Sequence, residues 1–168
     1  PRIIICIPSG VNKLEERAIK EAAESANSSD VYLIQEPMAA AIGIGIDVSS
    51  PKGHMIVDIG GGTTEIAVIA LNGIVSLKTI RNAGDRQTEL VKNWLHDYHQ
   101  LEIGERTAED IKKNVGSAIK LHSTKFSVTG KNVTDGIPKK IEISTDEITK
   151  ALNSSVLDIT EAVKQALD

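Results

Sequence analysis

The spacing of hydrophobic and polar positions predicts a β-α-β unit at the start of the chain. Residues 2–7 form a short apolar run typical of a strand buried on both faces. Asn12 and Glu15 then match a capping box, and apolar residues recur every fourth position to about Ala26, which predicts a helix. A second apolar run, residues 31–34, completes the unit. Such a unit implies parallel strands joined by a right-handed crossover.

A short helix and three antiparallel strands are predicted next. Glu36 and Pro37 open a helix to Gly43, since proline suits the first helical turn. After a loop over residues 47–53, strands are predicted at 54–59, 64–71 and 74–80. Asn72-Gly73 is a strong hairpin signal before the last of these strands.

The pattern from residue 84 onward predicts a smaller α+β segment and a long final helix. One helix is predicted over 86–99, and Thr107 with Asp110 is expected to cap another that runs to about Leu121. Short strands are predicted at 125–128 and 140–143. Ser144 with Glu147 then begins a helix with an apolar stripe. The stripe consists of Ile148, Leu152, Val156, Ile159, Val163 and Leu167.

Composition supports an α/β fold and excludes several classes of protein. Aromatic residues are only 2% of the 168 positions, so the core must be built from aliphatic side chains, which favours helices packed on sheets. The net charge of −4 and the lack of a basic block argue against nucleic acid as a partner. The single cysteine, Cys6, excludes an intrachain disulfide, indicates a reducing compartment, and is interpreted as a small buried hydrophobe.

The glycine-rich stretch after Asp58 carries the strongest chemical signal. An apolar run leads to Asp58, residues 60–62 are all glycine, and two threonines precede a second apolar run. Glycines allow a tight turn and bring bare N–H groups close to an anion. Because a strand rather than a helix follows, the motif predicts a phosphate-binding hairpin and not a P-loop. The alternative is an ordinary hairpin turn, in which glycine supplies positive φ.

Two acidic residues are candidates for phosphate chemistry. Beside a triphosphate, Asp58 would hold Mg²⁺ through water, because Mg²⁺ keeps much of its hydration shell. Glu36 could orient a water molecule for attack on a γ-phosphate, since phosphoryl transfer mainly needs positioning and charge neutralisation. The alternatives are a turn-capping role for Asp58 and a favourable helix-dipole position for Glu36.

A charged helix entry over residues 104–113 is a third candidate. Glu109 and Lys112 are three positions apart and so share a helix face, from which they could bond a ribose and lie against a base. A solvated face with a weak ion pair is the alternative. His96 and His99 are also three apart, but without a further ligand in register they indicate solvated residues rather than a metal site.

Several of these segments together resemble one known family. Residues 34–43, 57–65 and 103–112, with Ala83-Gly84-Asp85, are similar in order and spacing to the motifs of the MreB family of bacterial actin-like, rod-shape proteins. The resemblance extends over essentially the whole chain. It implies the actin/Hsp70/sugar-kinase fold, an α/β architecture of the ribonuclease H-like type in which ATP and Mg²⁺ lie in a cleft between two lobes.

The resemblance also implies roles for individual residues. The glycine hairpin would grip the phosphates, the acid before it would serve the metal, and the glutamate before proline would place the attacking water. The charged helix would contact ribose and adenine. The implied catalytic residues are Glu36 and Asp58, with Asp58 also at the metal; the implied nucleotide-binding residues are Gly60, Gly61, Gly62, Thr63, Glu109, Asp110, Ile111 and Lys112.

The resemblance further implies that the chain is an excerpt of about half a family member. Two other nucleotide-binding loops of the family are absent, so we expect the isolated piece to bind ATP weakly and to be inactive. The full-length protein is expected to be a slow ATPase. Residues 1–46 would end the first lobe, 47–83 with 144–168 would form the second-lobe core, and 84–143 would be an inserted subdomain.

The family's biology supplies the expected partners and the alternatives. The resemblance implies head-to-tail self-association into ATP-dependent filaments that maintain bacterial cell shape. It also implies a membrane-anchored adaptor protein, peripheral membrane association and a cytoplasmic location beneath the inner membrane. The alternatives are a chaperone or sugar-kinase relative with the same fold, and a scaffold that does not hydrolyse ATP.

Overall fold

A computed structural model describes residues 1–119 and 122–167 and confirms an α/β fold with mixed strand directions. The chain forms two units. The first contains residues 1–59, 64–80 and the chain from Ala162 onward, and the second contains residues 60–63 and 81–161. The predicted division into lobes at residues 46, 83 and 143 stays a prediction.

The first unit begins with the predicted β-α-β arrangement. Strand β1 (Arg2–Ile7) pairs in parallel with β2 (Asp30–Gln35), and helix α1 (Lys13–Ser25) connects them. The capping box is confirmed: the Asn12 side chain accepts from the Leu14 and Glu15 amides, and the Glu15 side chain accepts from the Asn12 amide. The register places Ile7 opposite Gln35, so both strands end at the same edge.

The predicted burial of β1 on both faces is wrong. Ile4 is 69% exposed and Cys6 is exposed as well, so Cys6 is not the buried hydrophobe that its neighbours suggest. The described residues give β1 only β2 as a partner strand, and two strands with one crossover helix cannot cover two sheet faces.

A three-stranded antiparallel sheet forms the rest of the first unit. Its strands are β3 (His54–Ile59), β4 (Thr64–Ala70) and β5 (Gly73–Ile80), in that spatial order. Helix α2 (Glu36–Gly43) buries Ala41 against Ile56, Ala67 and Ile69 of the sheet. Ile66 packs instead with Ala162 and Ala166 from the end of the chain. Since strand residues alternate in direction, both sheet faces are covered.

The hairpin between β4 and β5 is confirmed, but its turn lies one residue earlier than predicted. Ala70 pairs with Gly73, so the two turn residues are Leu71 and Asn72, with φ of 51° and 61°. Gly73 is already the first strand residue. Leucine rarely adopts positive φ, whereas Asn-Gly is strongly preferred at such turns. The prediction therefore placed the turn at Asn72-Gly73, one residue too late.

The second unit packs helices on a second antiparallel sheet. Helix α3 (Gly84–His99), strand β6 (Leu101–Glu102) and helix α4 (Glu105–Val115) are followed by β7 (Lys125–Asn132) and β8 (Pro138–Ser144). The order is β6-β7-β8, and β6 was not predicted because two residues carry no period. The buried core consists of Val91, Leu95, Leu101, Ile103, Ala108, Ile111, Val115, Val128, Ile143, Ile148 and Leu152.

The predicted bounds of α4 are wrong at its start. The helix begins at Glu105 with Gly104 as its N-cap, ahead of the expected Thr107-Asp110 cap. Capping side chains mark a helix start in sequence, and Gly104 has no side-chain acceptor. The Thr107-Asp110 pattern therefore placed the predicted start of the helix too late. The predicted end, Leu121, lies outside the described residues. The helix itself stops at Val115, and Gly116 follows in extended backbone.

Helix α5 (Thr145–Gln165) starts as predicted, but its buried stripe differs. Glu147 accepts from the Ser144 amide (2.9 Å), which confirms the capping box. Leu167 is exposed, whereas Ser155, Ala162 and Ala166 are buried. The predicted stripe advanced about 3.8 residues per turn and drifted from the 3.6-residue repeat that the buried positions follow. None of the helices in residues 1–119 and 122–167 is long and apolar enough to cross a membrane.

Candidate functional site

The glycine turn, residues 60–63, joins β3 to β4 and is exposed along its length. The Gly60 amide donates to the Thr63 carbonyl (3.0 Å), which closes the turn. None of its three glycines has positive φ. Left-handed backbone is the reason that ordinary hairpin turns contain glycine, and that reason does not apply here.

Close approach to helix α3 explains the glycines better. The Gly84 amide donates to the Gly60 carbonyl (3.0 Å) and the Asp85 amide to the Gly61 carbonyl (2.8 Å). A Cβ on Gly61 would lie 3.3 Å from both carboxylate oxygens of Asp85, and a Cβ on Gly84 would lie 3.2 Å from the Gly60 carbonyl oxygen. The turn therefore needs small residues because it is held against the first turn of α3.

The remaining amides of the turn are available to a ligand. Within the described parts of the chain, the N–H groups of Gly61, Gly62 and Thr63 have no hydrogen-bond acceptor, and all three residues are exposed. Successive free N–H groups in a turn form a concave site for an anion. The geometry thus fits a phosphate group.

Helix α4 supports the same region of the second unit through Lys112. Its ammonium donates to the Gly84 carbonyl (2.8 Å) and to Thr88 Oγ1 (2.9 Å), and it lies 2.5 Å from Glu109 Oε2. The side chain is only 15% exposed. The i, i+3 spacing of Glu109 and Lys112 therefore produces a partly buried ion pair, in which Glu109 is 34% exposed, and not a fully solvated helix face.

Glu109 is strongly stabilised as a carboxylate. Hydrogen bonds from Lys112, Thr88 and Lys113 lower the pKa of Glu109 from 4.5 to about 2. Its neighbours in the predicted segment behave differently: Asp110 is exposed, whereas the Ile111 side chain is buried in the core. Only the backbone of Ile111 is left to face a ligand.

The predicted acids lie together in the first unit. Asp58 on β3 is directly opposite Glu65 on β4, and Glu36 is the first residue of α2, the helix that packs on these strands. Burial, and after it the negative charges of Glu65 and Asp58, raise the pKa of Glu36 above 4.5. The negative charges of Glu65 and Asp58 thus make Glu36 harder to ionise.

Glu65 is a member of this group that sequence reasoning missed. It is 2% exposed, and it accepts hydrogen bonds from the Ser9 amide (3.0 Å) and the Ser9 hydroxyl (3.2 Å). Ser9 follows β1 at the edge where Glu36 follows β2. The only signal in the sequence was a charged residue inside an otherwise apolar strand.

The acids fit Mg²⁺ only as part of a ligand set. No group of three or more His, Cys, Asp or Glu residues among the described ones is arranged to hold a metal ion by itself. Mg²⁺ commonly binds through one or two carboxylates and completes its shell with phosphate oxygens and water. Asp58 fits the role of such a single carboxylate ligand.

The predicted residues thus fall into two groups, one in each unit. Glu36 and Asp58 come together in the first, and Gly60, Gly61, Gly62 and Thr63 are linked to Lys112 and Glu109 through Gly84 and Thr88 in the second. Their roles stay predictions. Asp85 and Thr88, which contact these residues, were assigned no role from the sequence.

The chain has an actin-like fold. It superimposes on MreB5 of Spiroplasma citri bound to ADP with a TM-score of 0.95, at 35% identity over 99% of this chain and 51% of that one. The same protein bound to AMPPNP gives 0.94, at 36% identity over 98% and 50%. A MamK double helical filament gives 0.78 at 21% identity over 99% and 49%, a likeness of fold alone.

Within that class, the chain belongs to the MreB/Mbl protein family, whose model matches residues 1–168. It is 44% identical over 169 residues to the cell shape-determining protein MreB of Escherichia coli K12 and 43% identical to Mbl of Bacillus subtilis 168. All of this chain is covered in both cases, but only 49% and 51% of those relatives. The chain therefore spans about half the length of these relatives, and the match favours this family over a chaperone or sugar-kinase relative.

Proposed function

We propose that this chain is a nucleotide-binding part of an actin-like protein that forms ATP-dependent filaments and maintains bacterial cell shape. One observation carries the proposal: the exposed, unbonded amides of Gly61, Gly62 and Thr63, in a turn fixed against the start of α3. Family membership supports it, because the curated relatives are named cell shape-determining proteins.

In this proposal the ligand is ATP with Mg²⁺. MreB5 of Spiroplasma citri, which has the same fold, is bound to ADP in one structure and to AMPPNP in another. The glycine turn would bind the terminal phosphates, and Asp58 would serve the Mg²⁺ ion. The bound ion would neutralise phosphate charge. The segment Glu109, Asp110, Ile111 and Lys112 would meet the ribose and adenine.

Glu36 would act on the attacking water. Its pKa is raised by burial and by the charges of Glu65 and Asp58, which makes it a stronger proton acceptor than an exposed glutamate. Its place at the start of α2 also fixes its backbone. These features suit a residue that orients water and accepts a proton, and they favour hydrolysis over a scaffold that only binds ATP.

The partners in this proposal are other copies of the protein and the membrane. Head-to-tail self-association would build the filament, which a MamK double helical filament of the same fold supports. We further propose a membrane-anchored adaptor protein, peripheral membrane association and a cytoplasmic position beneath the inner membrane.

The test uses the full-length protein and two substitutions. Glu36→Gln should preserve ATP binding and the ATP-dependent rise in light scattering, while phosphate release falls about 100-fold, the usual minimum for a lost general base. Asp58→Ala should weaken Mg-ATP binding itself. Glu21→Gln, on the exposed face of α1, is the control and should match wild type in all three measurements.

Two results would contradict the proposal. No ATP-dependent scattering by the wild-type protein would exclude the filament. Equal phosphate release by wild type, Glu36→Gln and Asp58→Ala would support a scaffold that does not hydrolyse ATP.

A further inference from the structure

Asn82, two residues before Gly84, makes a buried polar contact with helix α5. Asn82 is 8% exposed, and its partner Ser155 is 1% exposed. The side-chain amide of Asn82 donates to Asp158 Oδ2 at 3.0 Å and to the Ser155 carbonyl at 3.4 Å. In the other direction, Ser155 Oγ donates to Asn82 Oδ1 at 2.6 Å. Both polar atoms of one side chain are therefore bonded to the same helix.

These bonds anchor a short segment to a helix that is remote in sequence. Asn82 and Ser155 are 73 positions apart. The bond to Asp158 has a carboxylate acceptor, and such hydrogen bonds are roughly twice as strong as neutral ones. A buried donor that loses its acceptor also costs the protein the free energy of its desolvation. Removal of the Asn82 amide donor would therefore loosen the backbone that it holds.

The segment that Asn82 begins is bonded to the glycine turn as well. Ala83 is the N-cap of α3, and its side chain makes no capping hydrogen bond. The amides of residues 84–85 donate instead to the carbonyls of Gly60 (3.0 Å) and Gly61 (2.8 Å). The start of α3 thus has two attachments, one to the glycine turn through its backbone and one to α5 through Asn82.

We propose that Asn82 is a positioning residue for phosphate binding: its bonds to Ser155 and Asp158 fix the start of α3, and the start of α3 holds the unbonded amides of residues 61–63 in place for an anion. The proposal rests on the proposed function, because it takes phosphates as the ligand of the glycine turn. Asn82 acts through the backbone of the residues that follow it, and a site of this kind depends on support that keeps its donors in place.

The first test needs no nucleotide and uses the full-length protein. Asn82→Asp keeps the shape of the side chain but replaces its donor with an acceptor, which then faces the Asp158 carboxylate. Hydrogen exchange of the amides of residues 84–85 should accelerate about tenfold, the effect of losing one well-placed hydrogen bond. Asn153→Asp, at an exposed position of α5, is the matched control and should leave both rates within a factor of about two. Unchanged exchange in Asn82→Asp would overturn the proposal.

A swap of the two side chains separates this contact from a general loss of stability. In the double variant Asn82→Asp with Asp158→Asn, the amide donor is at position 158 and the carboxylate acceptor at position 82. The bond between the two side chains is restored, and the Ser155 hydroxyl can still donate to residue 82. Exchange at residues 84–85 should return to within about threefold of wild type. A double variant that exchanges as fast as Asn82→Asp alone would contradict the proposed contact.

The last test asks whether the contact serves phosphate binding or only the fold. Displacement of a fluorescent ATP analogue gives the affinities of wild type, Asn82→Asp, the double variant and Asn153→Asp for ATP, tripolyphosphate and AMP. Asn82→Asp should weaken ATP and tripolyphosphate by the same factor, at least about fivefold, and the swap should restore both affinities. AMP lacks the terminal phosphates, so its affinity should change less than about twofold.

The three ligands distinguish the possible failures. An equal loss of affinity for AMP in Asn82→Asp would show a purely structural role, and an unchanged affinity for tripolyphosphate would show that the glycine turn does not depend on Asn82. Either result would overturn the proposal. Failure of wild type to bind both ATP and tripolyphosphate would contradict the proposed function, while the exchange rates would still decide whether Asn82 fixes the start of α3.

Discussion

The two hairpin turns of the three-stranded sheet differ in backbone conformation and in the hydrogen bonding of their amides. The turn between β4 and β5 uses left-handed backbone at Leu71 and Asn72, and both amides are bonded, to the carbonyls of Ser50 (3.0 Å) and Val48 (2.7 Å). The glycine turn between β3 and β4 contains no positive φ among its glycines and leaves its amides at residues 61–63 without acceptors.

This difference separates a structural turn from a binding turn. Backbone N–H groups are normally paired wherever the chain can pair them. A turn whose N–H groups are hydrogen-bonded within the protein has none left for a ligand, whereas three unbonded N–H groups in succession are suited to binding an anion. The number of glycines alone does not make this distinction; the bonding of the amides does.

The comparison predicts that an alanine substitution next to the glycine turn weakens nucleotide binding, whereas one next to the Leu71-Asn72 turn does not. A Cβ on Gly84 would lie 3.2 Å from the Gly60 carbonyl oxygen, and a Cβ on Gly73 would lie 3.7 Å from the Ala70 carbonyl oxygen, which is an ordinary contact. Gly84→Ala should therefore push the glycine turn away and weaken ATP binding by the full-length protein about tenfold, or ~1.4 kcal/mol. Gly73→Ala should leave the affinity within a factor of two.

Calorimetric titration with ATP measures both variants, and circular dichroism confirms that each is folded. Equal affinities for Gly84→Ala and wild type would mean that contact with α3 does not set the shape of the glycine turn.

The second prediction concerns strain at the structural turn. Leu71 is 68% exposed and has φ of 51°, a conformation that costs a side-chain-bearing residue about 1–2 kcal/mol. Leu71→Gly removes that cost and loses little packing, although glycine adds entropy to the unfolded chain. The variant should be more stable by about 1 kcal/mol, seen as a higher melting temperature with unchanged ATP affinity. A lower melting temperature would indicate that contacts of the leucine side chain stabilise the fold by more than the backbone strain destabilises it.

The fold was largely predictable because its signals are local. Two capping boxes, at Asn12 and Ser144, and the alternation in β3 to β5 placed helices and strands correctly. Burial was less predictable. Apolar residues in β1 gave no sign that one strand and one helix would leave Ile4 exposed. The predicted stripe of α5 followed the apolar residues and so departed from the 3.6-residue helical repeat that the buried positions keep.

The candidate residues could be predicted within single sequence motifs, but the contacts that join one motif to another could not. The glycines and Asp58 are neighbours in sequence, so one motif contains them all. Glu65 and Ser9 are 56 positions apart, and Lys112 and Gly84 are 28 apart. No periodicity or composition reports such pairs, because tertiary packing creates them. The same packing links the glycine turn to an ion pair, because Gly84 bonds both the turn and Lys112, which pairs with Glu109.

That dependence on charge gives the last and smallest prediction: acid should weaken the support of the glycine turn and leave the Leu71-Asn72 turn unaffected. The pKa of Glu109 is about 2 in the folded protein and 4.5 without its partners. Because the folded value is the lower one, the carboxylate stabilises the fold above pH 4.5, and this contribution is lost as the pH falls from 4.5 toward 2. Glu109 is partly exposed, so solvent screening limits the contribution to about 0.5 kcal/mol.

In the full-length protein at about pH 6, the melting temperature of Glu109→Gln should therefore lie slightly below that of wild type, and this gap in melting temperature should narrow by about pH 3. Over the same range the Gly84 amide should exchange faster relative to its intrinsic rate, and the Asn72 amide should not, since only backbone carbonyls hold it. A gap that stays constant with pH would show that the ion pair is replaceable by a neutral hydrogen bond, and the contrast between the two turns would then lie in backbone geometry alone.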